Sequence, residues 1–253
     1  MVFLIGFFIY LIKTSSIILN PVIDTNLVED TSLPEVSNFP EANRVIFDGL
    51  EYAYAYFIVK NPNDLILVPN FAEQKSTQEI KKEKLCIAGI NGGFYDEEKN
   101  PLGGFISERK IYKSPIKSLL LDGFLWIDKN QANITIQFPQ ESRISLQSGP
   151  LLVLDGQLTK LSIKNDKYAR RSIAFITDKK ELVFMIIFDP KNITSGPNLK
   201  DIPLILNAID KKQDFFIQSA INLDGGNASA MNMDKISLLE TKTVGSYFCL
   251  KNN

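Results

Sequence analysis

From Arg44 onward the chain alternates short apolar runs with clusters of turn residues. The runs VIFDG (45–49), EYAYAYFIV (51–59) and LILVPN (65–70) are rich in β-branched and aromatic residues and are bounded by Gly, Pro, Asn and Asp, which is the pattern of strands. SIAFITDKKELVFMIIFD (172–189) reads as an antiparallel hairpin turning at Asp178 to Lys180. SLLLDGFLWID (118–128) reads as a second hairpin turning at Asp122-Gly123. Helical signals are few. Ser76 with Glu79 forms a capping box at the head of a short polar helix running to about Lys84, and Asp201 heads a second helix reaching Lys211. No repeat at a period of 20 to 50 residues is visible. The pattern predicts an α+β fold: a single strand-rich domain with a large mixed β-sheet and few helices.

Ahead of this domain the pattern changes. Residues 2–12, VFLIGFFIYLI, form an apolar run shorter than the roughly 20 residues that span a bilayer, and match the hydrophobic region of a secretory signal. No Lys or Arg precedes the run, Lys13 follows it at once, and no clear small-x-small cleavage site comes next, so an uncleaved anchor stands beside the cleaved signal. A buried N-terminal strand or helix is the plainer alternative. Residues 20–42, rich in Asp, Glu, Ser, Asn and Pro without periodicity, read as a linker. The division is therefore a signal peptide or N-terminal membrane anchor at 1–19, a linker at 20–42 and the folded domain at 43–253. The expected location is exported: periplasmic, cell-surface or extracellular, with membrane contact only through the N-terminal segment.

Composition narrows the chemistry. With 253 residues, 45% of them apolar and 23% charged, the chain can bury a sizeable core, and a net charge of −1 supplies no field to hold nucleic acid. The absence of any histidine excludes Ser-His-Asp and Cys-His nucleophile pairs, HExxH zinc sites and imidazole acid-base catalysis. Cys86 and Cys249 form no CxxC motif; one disulfide and two buried thiols are both open. Ser107-x-x-Lys110 and Ser114-x-x-Lys117 match the serine-lysine acyl-transferase motif only at chance frequency, and Lys242-Thr243 is followed by Val244 rather than the glycine of a KTG partner.

Four segments interrupt the apolar runs with polar or glycine residues: Asn91-Gly92-Gly93-Phe94-Tyr95, Ser148-Gly149-Pro150, Arg170-Arg171-Ser172, and the stretch from Asn222 to Ser229, NLDGGNAS. In the first and last, a strand-like run feeds into Asn followed by Gly-Gly, placing polar side chains beside backbone free to take positive φ. Successive N–H groups in such turns form an anion-binding nest, and arginine adds bidentate contacts to phosphate oxygens. An adjacent Arg pair is notable in a chain with five arginines and 23 lysines. The expected ligand is a phosphate or carboxylate. No GxxxxGK[ST] or GxGxxG motif supports a nucleotide.

The order NGGFY, SGP-LLVLDG, RRSIAF and INLDGGNASAM, over about Cys86 to Met231, resembles the phosphodiester glycosidase family, typified by N-acetylglucosamine-1-phosphodiester alpha-N-acetylglucosaminidase. The resemblance implies a hydrolase that cleaves the bond between a sugar's anomeric carbon and a phosphodiester on an exported glycan or glycoconjugate. It implies catalytic roles for Asp224, Arg171 and Asn91, with Gly92, Gly93, Ser148, Gly149, Asn222, Gly225, Gly226 and Ser229 binding substrate. Asp224 would be the carboxylate on the ring side, and Arg171 with the Gly92-Gly93 and Gly225-Gly226 amides would meet the phosphate charge. Asp96 is a lesser second carboxylate. Three departures from the family pattern, Asn227, Ala228-Ser229 and Arg171-Ser172-Ile173-Ala174-Phe175, suggest a different substrate preference, with Phe175 narrowing a pocket wall. No cofactor is required; a divalent cation on Asp224, Asn222 and Asn227 is a minor alternative. A non-catalytic surface module that binds sugar phosphates or glycans, with Phe94, Tyr95 or Trp126 stacking on a ring, is the competing reading.

Overall fold

The structure, a computed structural model, describes residues 42–252. The leader and linker read at 1–19 and 20–42 lie, but for Ala42, outside the described residues. The hairpin expected at Asp178 to Lys180 is present, with Arg171–Thr177 and Leu182–Phe188 paired from Arg171 against Ile187 to Ile176 against Leu182. Both strands are buried at every position, which is why their sequence is continuously apolar. The two-residue period then sends Ala174, Ile176, Phe184 and Ile186 into one core and Ile173, Phe175, Val183, Met185 and Ile187 into another.

These strands are central in a seven-stranded sheet of spatial order Asn43–Phe47, Leu50–Val59, Leu182–Phe188, Arg171–Thr177, Ile217–Asn222, Leu151–Leu154 and Gln157–Leu158. A five-stranded sheet runs Ser237–Leu238, Met231–Asn232, Cys86–Asn91, Ser246–Lys251 and Leu65–Pro69. Another runs Lys110–Lys113, Phe105–Ser107, Ile144–Ser148, Gly123–Asp128 and Gln131–Thr135. The main core draws on all three, through residues such as Phe184, Phe248 and Leu125. On the other face of the large sheet, helix Ile202–Gln213 packs Ile202, Ile205, Leu206 and Ile209 at i, i+3, i+4 and i+7 into the second core.

The α+β class holds, with one correction: the strands form three antiparallel sheets rather than one mixed sheet. Parallel neighbours need a crossover, and helix Ile202–Gln213 instead carries the chain to the far side of Arg171–Thr177, so the strands before and after it are not adjacent. A second correction concerns Asp122-Gly123, which is not a hairpin turn. Residues 114–122 form no strand; Gly123–Asp128 starts at the glycine and turns at Lys129-Asn130 into Gln131–Thr135. The Asp122 carboxylate accepts from Leu151 N at 2.7 Å, so it ties this segment to the turn after Gly149 instead of closing a local loop.

Helix Thr77–Lys84 carries the expected capping box, with Ser76 and Glu79 bonded reciprocally. Asp201 stands at the N-cap of Ile202–Gln213 but makes no side-chain capping bond, because a 3-10 turn over Leu199–Asp201 precedes the helix. Cys86 and Cys249 are joined by a disulfide between the neighbouring strands Cys86–Asn91 and Ser246–Lys251. No helix among the described residues is long and apolar enough to cross a membrane.

Candidate active site

Strand ends from all three sheets converge on the predicted segments. Cys86–Asn91 ends at Asn91, Ile144–Ser148 at Ser148, and Ile217–Asn222 at Asn222, while Arg171–Thr177 begins at Arg171. Hydrogen bonds between residues distant in sequence lock these ends together. Asn91 is 1% exposed and uses its whole side-chain capacity: Nδ2 donates to Asp224 O at 2.6 Å and Gly92 O at 3.2 Å, and Oδ1 accepts from Ser172 Oγ at 2.6 Å and Ala230 N at 3.0 Å. It therefore positions the Asp224 backbone, with both of its side-chain polar atoms engaged inside the protein. Ser229 Oγ lies 2.7 Å from Ser172 Oγ in the same network. Ser148 Oγ donates to Asn222 O at 2.7 Å, and Asn222 Nδ2 donates to Gly149 O at 2.9 Å. Asn222 Oδ1 is buried with no partner among the described residues, an acceptor left open at the strand end.

The expected amide nest is absent, and the reason is saturation. Gly92 N donates to Ser246 O at 2.8 Å, Gly93 N to Ser246 Oγ at 3.3 Å and Gly226 N to Arg170 O at 2.8 Å, while the Gly225 amide acts on the Asp224 carboxyl. Three of the four N–H groups are spent on partners within the protein. Nor does the first Gly-Gly pair need positive φ, since of these four glycines Gly226 alone adopts it, at 62°. Gly92 is dictated by close approach: a Cβ there would lie 2.2 Å from Ser246 Oγ.

Asp224, just past the strand end, is partly open to solvent. Burial pushes its carboxyl up to about 7, opposed by the Gly225 backbone hydrogen bond and by the charge of Lys242. Burial also raises the Tyr95 phenol, with the Asp224 charge adding to the shift, and Lys242 Nζ stands 5.6 Å from the Tyr95 ring centroid. Tyr95, Asp224 and Lys242 thus form one cluster, closed by the Tyr95 hydroxyl donating to Thr243 O and by Thr241 N and Lys242 N donating to Asn227 O at 2.9 and 3.0 Å. The sequence reading missed Lys242, passing it over as the lysine of a failed KTG motif. Its signal was weak, being one lysine in a loop far from the glycine motifs.

The two arginines divide their work. Arg170, 1% exposed, donates to the carbonyls of Ile193, Ser229 and Leu239, and burial pulls it down to about 10, still cationic at neutral pH. It is a structural clamp. Arg171 Nε donates to Pro197 O at 3.1 Å, and Nη2 donates to Lys167 O and pairs with Asp166 at 3.3 Å. Burial lowers its pKa and the Asp166 charge opposes that. Nη1 has no hydrogen bond among the described residues and would stand 3.6 Å from a Cβ on Gly225. Arg171 is thus aimed at the Asp224-Gly225 turn with one free donor, although the cation that acts on the Asp224 carboxyl is Lys242.

Other candidates lie elsewhere. Asp96 is used in its own loop, accepting from Asn100 N at 2.8 Å. Phe175 does not narrow the site: it is fully buried in the core beneath helix Ile202–Gln213, packed edge-on to Phe215 at 5.1 Å. Trp126 lines a separate cavity of about 510 Å³ with Asn133, Gln137 and Gln218. No three His, Cys, Asp or Glu side chains among the described residues gather into a metal-binding group.

The family model of the phosphodiester glycosidases matches residues 84–249, which include every residue of this cluster. The chain belongs to the phosphodiester glycosidase family. Its fold is shared with the zebrafish N-acetylglucosamine-1-phosphodiester alpha-N-acetylglucosaminidase catalytic domain auto-inhibited by its pro-peptide, at 14% identity and TM-score 0.64 over 84% of this chain and 82% of that one. It is also similar to a hypothetical protein from Synechocystis, at 13% identity and TM-score 0.62 over 82% and 61% of the two chains. A third similar structure, that of a Burkholderia pseudomallei protein described as exported, matches at 10% identity and TM-score 0.50 over 80% and 74%. These likenesses carry the fold of the family. No curated protein sequence matches the chain.

Proposed function

We propose that the Asp224 cluster hydrolyses the bond between a sugar's anomeric carbon and a phosphodiester. The observation that carries this reading is a carboxyl raised to about 7 at a junction of strand ends, with Lys242 acting on it and a free Arg171 donor beside the next residue. A phosphodiester is a good leaving group, so the heavier demand falls on attack at the anomeric carbon, where charge builds in an oxocarbenium-like state. Ionised Asp224 would serve that step, stabilising the cationic ring or taking a proton from water; a base works best with a pKa near the working pH. With three of the four glycine amides spent, Arg171 and Lys242 would meet the charge on the departing phosphate. In this reading the cations are protein side chains, and no cofactor is called for.

Export fits the same picture. The Cys86–Cys249 disulfide suits an oxidising compartment, and the apolar run at 2–12 and the exported Burkholderia neighbour agree with it. The test is release of free sugar from a panel of sugar-1-phosphodiesters, including a UDP-sugar and a chromogenic aryl phosphodiester. Release should vanish in Asp224→Asn, fall about a hundredfold or more in Arg171→Lys, which loses the Nη1 donor, and persist in chelator. Binding of sugar phosphates without release from any substrate would refute the enzyme and leave a binding module.

A further inference from the structure

The segment from Arg109 to Leu121 combines basic residues with exposed apolar side chains. It contains Arg109, Lys110, Lys113 and Lys117 and no Asp or Glu, in a chain of net charge −1. Arg109 pairs with Asp128, and Lys110 stands 4.6 Å over the Tyr112 ring. Lys113 and Lys117 have no carboxylate partner among the described residues. The same segment exposes Ile111, Tyr112 and Ile116, and above all Leu120 at 59% and Leu119 at 96%. It begins as the edge strand Lys110–Lys113 and continues as a loop.

The loop is held open. Gln147, buried in the neighbouring strand, accepts at Oε1 from Gly104 N and Ile116 N, both at 2.9 Å, and donates from Nε2 to Ile116 O at 2.7 Å and Leu121 O at 2.8 Å. One side chain thus fixes both ends of the stretch 116–121, and Lys117, Leu119 and Leu120 project between them. Leu119 and Leu120 remain in water, an arrangement that costs free energy unless something covers them. The loop also borders the site. The Leu120 carbonyl fills the space where a Cβ on Gly149 would go, at 2.1 Å, and Asp122 bonds Leu151 N.

We propose that residues 109–121 dock on an anionic lipid bilayer, with Leu119 and Leu120 entering the acyl boundary and Lys113 and Lys117 lying against the headgroups. Projecting apolar side chains flanked by unpaired cations match a surface that is negative outside and apolar beneath. Docking would bring the Ser148-Gly149 end of the site to the membrane. This proposal stands or falls separately from phosphodiester cleavage.

The test uses the full chain with phosphatidylcholine vesicles, with and without phosphatidylglycerol, and a Leu119→Trp variant. On anionic vesicles the introduced indole should shift to the blue and be quenched by brominated acyl chains beyond the wild-type signal from Trp126. Lys113→Gln and Lys117→Gln should each weaken anionic-vesicle binding by about fivefold. An introduced indole that stays unquenched while the protein binds vesicles would overturn the proposal and assign the contact to another segment. One already shifted to the blue without lipid would overturn it in favour of cover by protein, and failure to bind vesicles would overturn it outright.

Discussion

Replacing Asp224 with Asn tests the burial argument directly, because the amide keeps the shape and the acceptor for Gly225 N while removing the charge. The carboxyl's ordinary value of 3.8 is raised to about 7, so the fold favours its protonated form. That advantage is complete below the unfolded value near 4 and is lost as pH rises through about 7, after which the penalty levels off. Three pH units correspond to about 4 kcal/mol, and partial exposure of Asp224 to water reduces this to about 2 kcal/mol. For a domain of this size each kcal/mol moves Tm by about 2–4 °C. Asp224→Asn should therefore melt with wild type near pH 4 and about 4–8 °C above it at pH 8, while losing activity. The assay is differential scanning calorimetry of both proteins across that range. A Tm difference that does not change with pH, or a variant less stable at pH 8, would show that the carboxyl is well hydrated and the argument wrong. If the ionised form does the work, the wild-type rate should also climb with pH through about 7.

Removing the Arg170 clamp should be felt in stability. Arg170→Met strands the carbonyls of Ile193, Ser229 and Leu239, costing about 3 kcal/mol or more at about 1 kcal/mol per bond, and a wild-type urea midpoint would show that water replaces the guanidinium. The disulfide closes a sequence separation of 163 residues, for which loop entropy gives about 5 kcal/mol. Reduction, or the pair Cys86→Ala with Cys249→Ala, should lower the urea midpoint markedly, and an unchanged midpoint would mean that the packed strands alone hold Cys86–Asn91 in place.

Much of the architecture was legible because it is written in local chemistry. The β-branched and aromatic runs on either side of Asp178 to Lys180 read as a hairpin, and Ser76 with Glu79 satisfied a helix start within four residues. The four glycine-bearing and polar segments marked where chemistry gathers, and their order carried the family. What each group there can do was decided by partners far along the chain. Asn91 is saturated by residues including Asp224, 133 positions away, and the Gly92-Gly93 amides are taken by Ser246. Asp122-Gly123 is drawn out of a turn by Leu151, and Lys242 acts on Asp224 from a loop that is bonded to Asn227. Hydrogen-bond satisfaction and desolvation are properties of an assembled surrounding. The sequence determined which side chains stand at the strand ends, and only the tertiary structure decided which of their donors, acceptors and charges remain free to act.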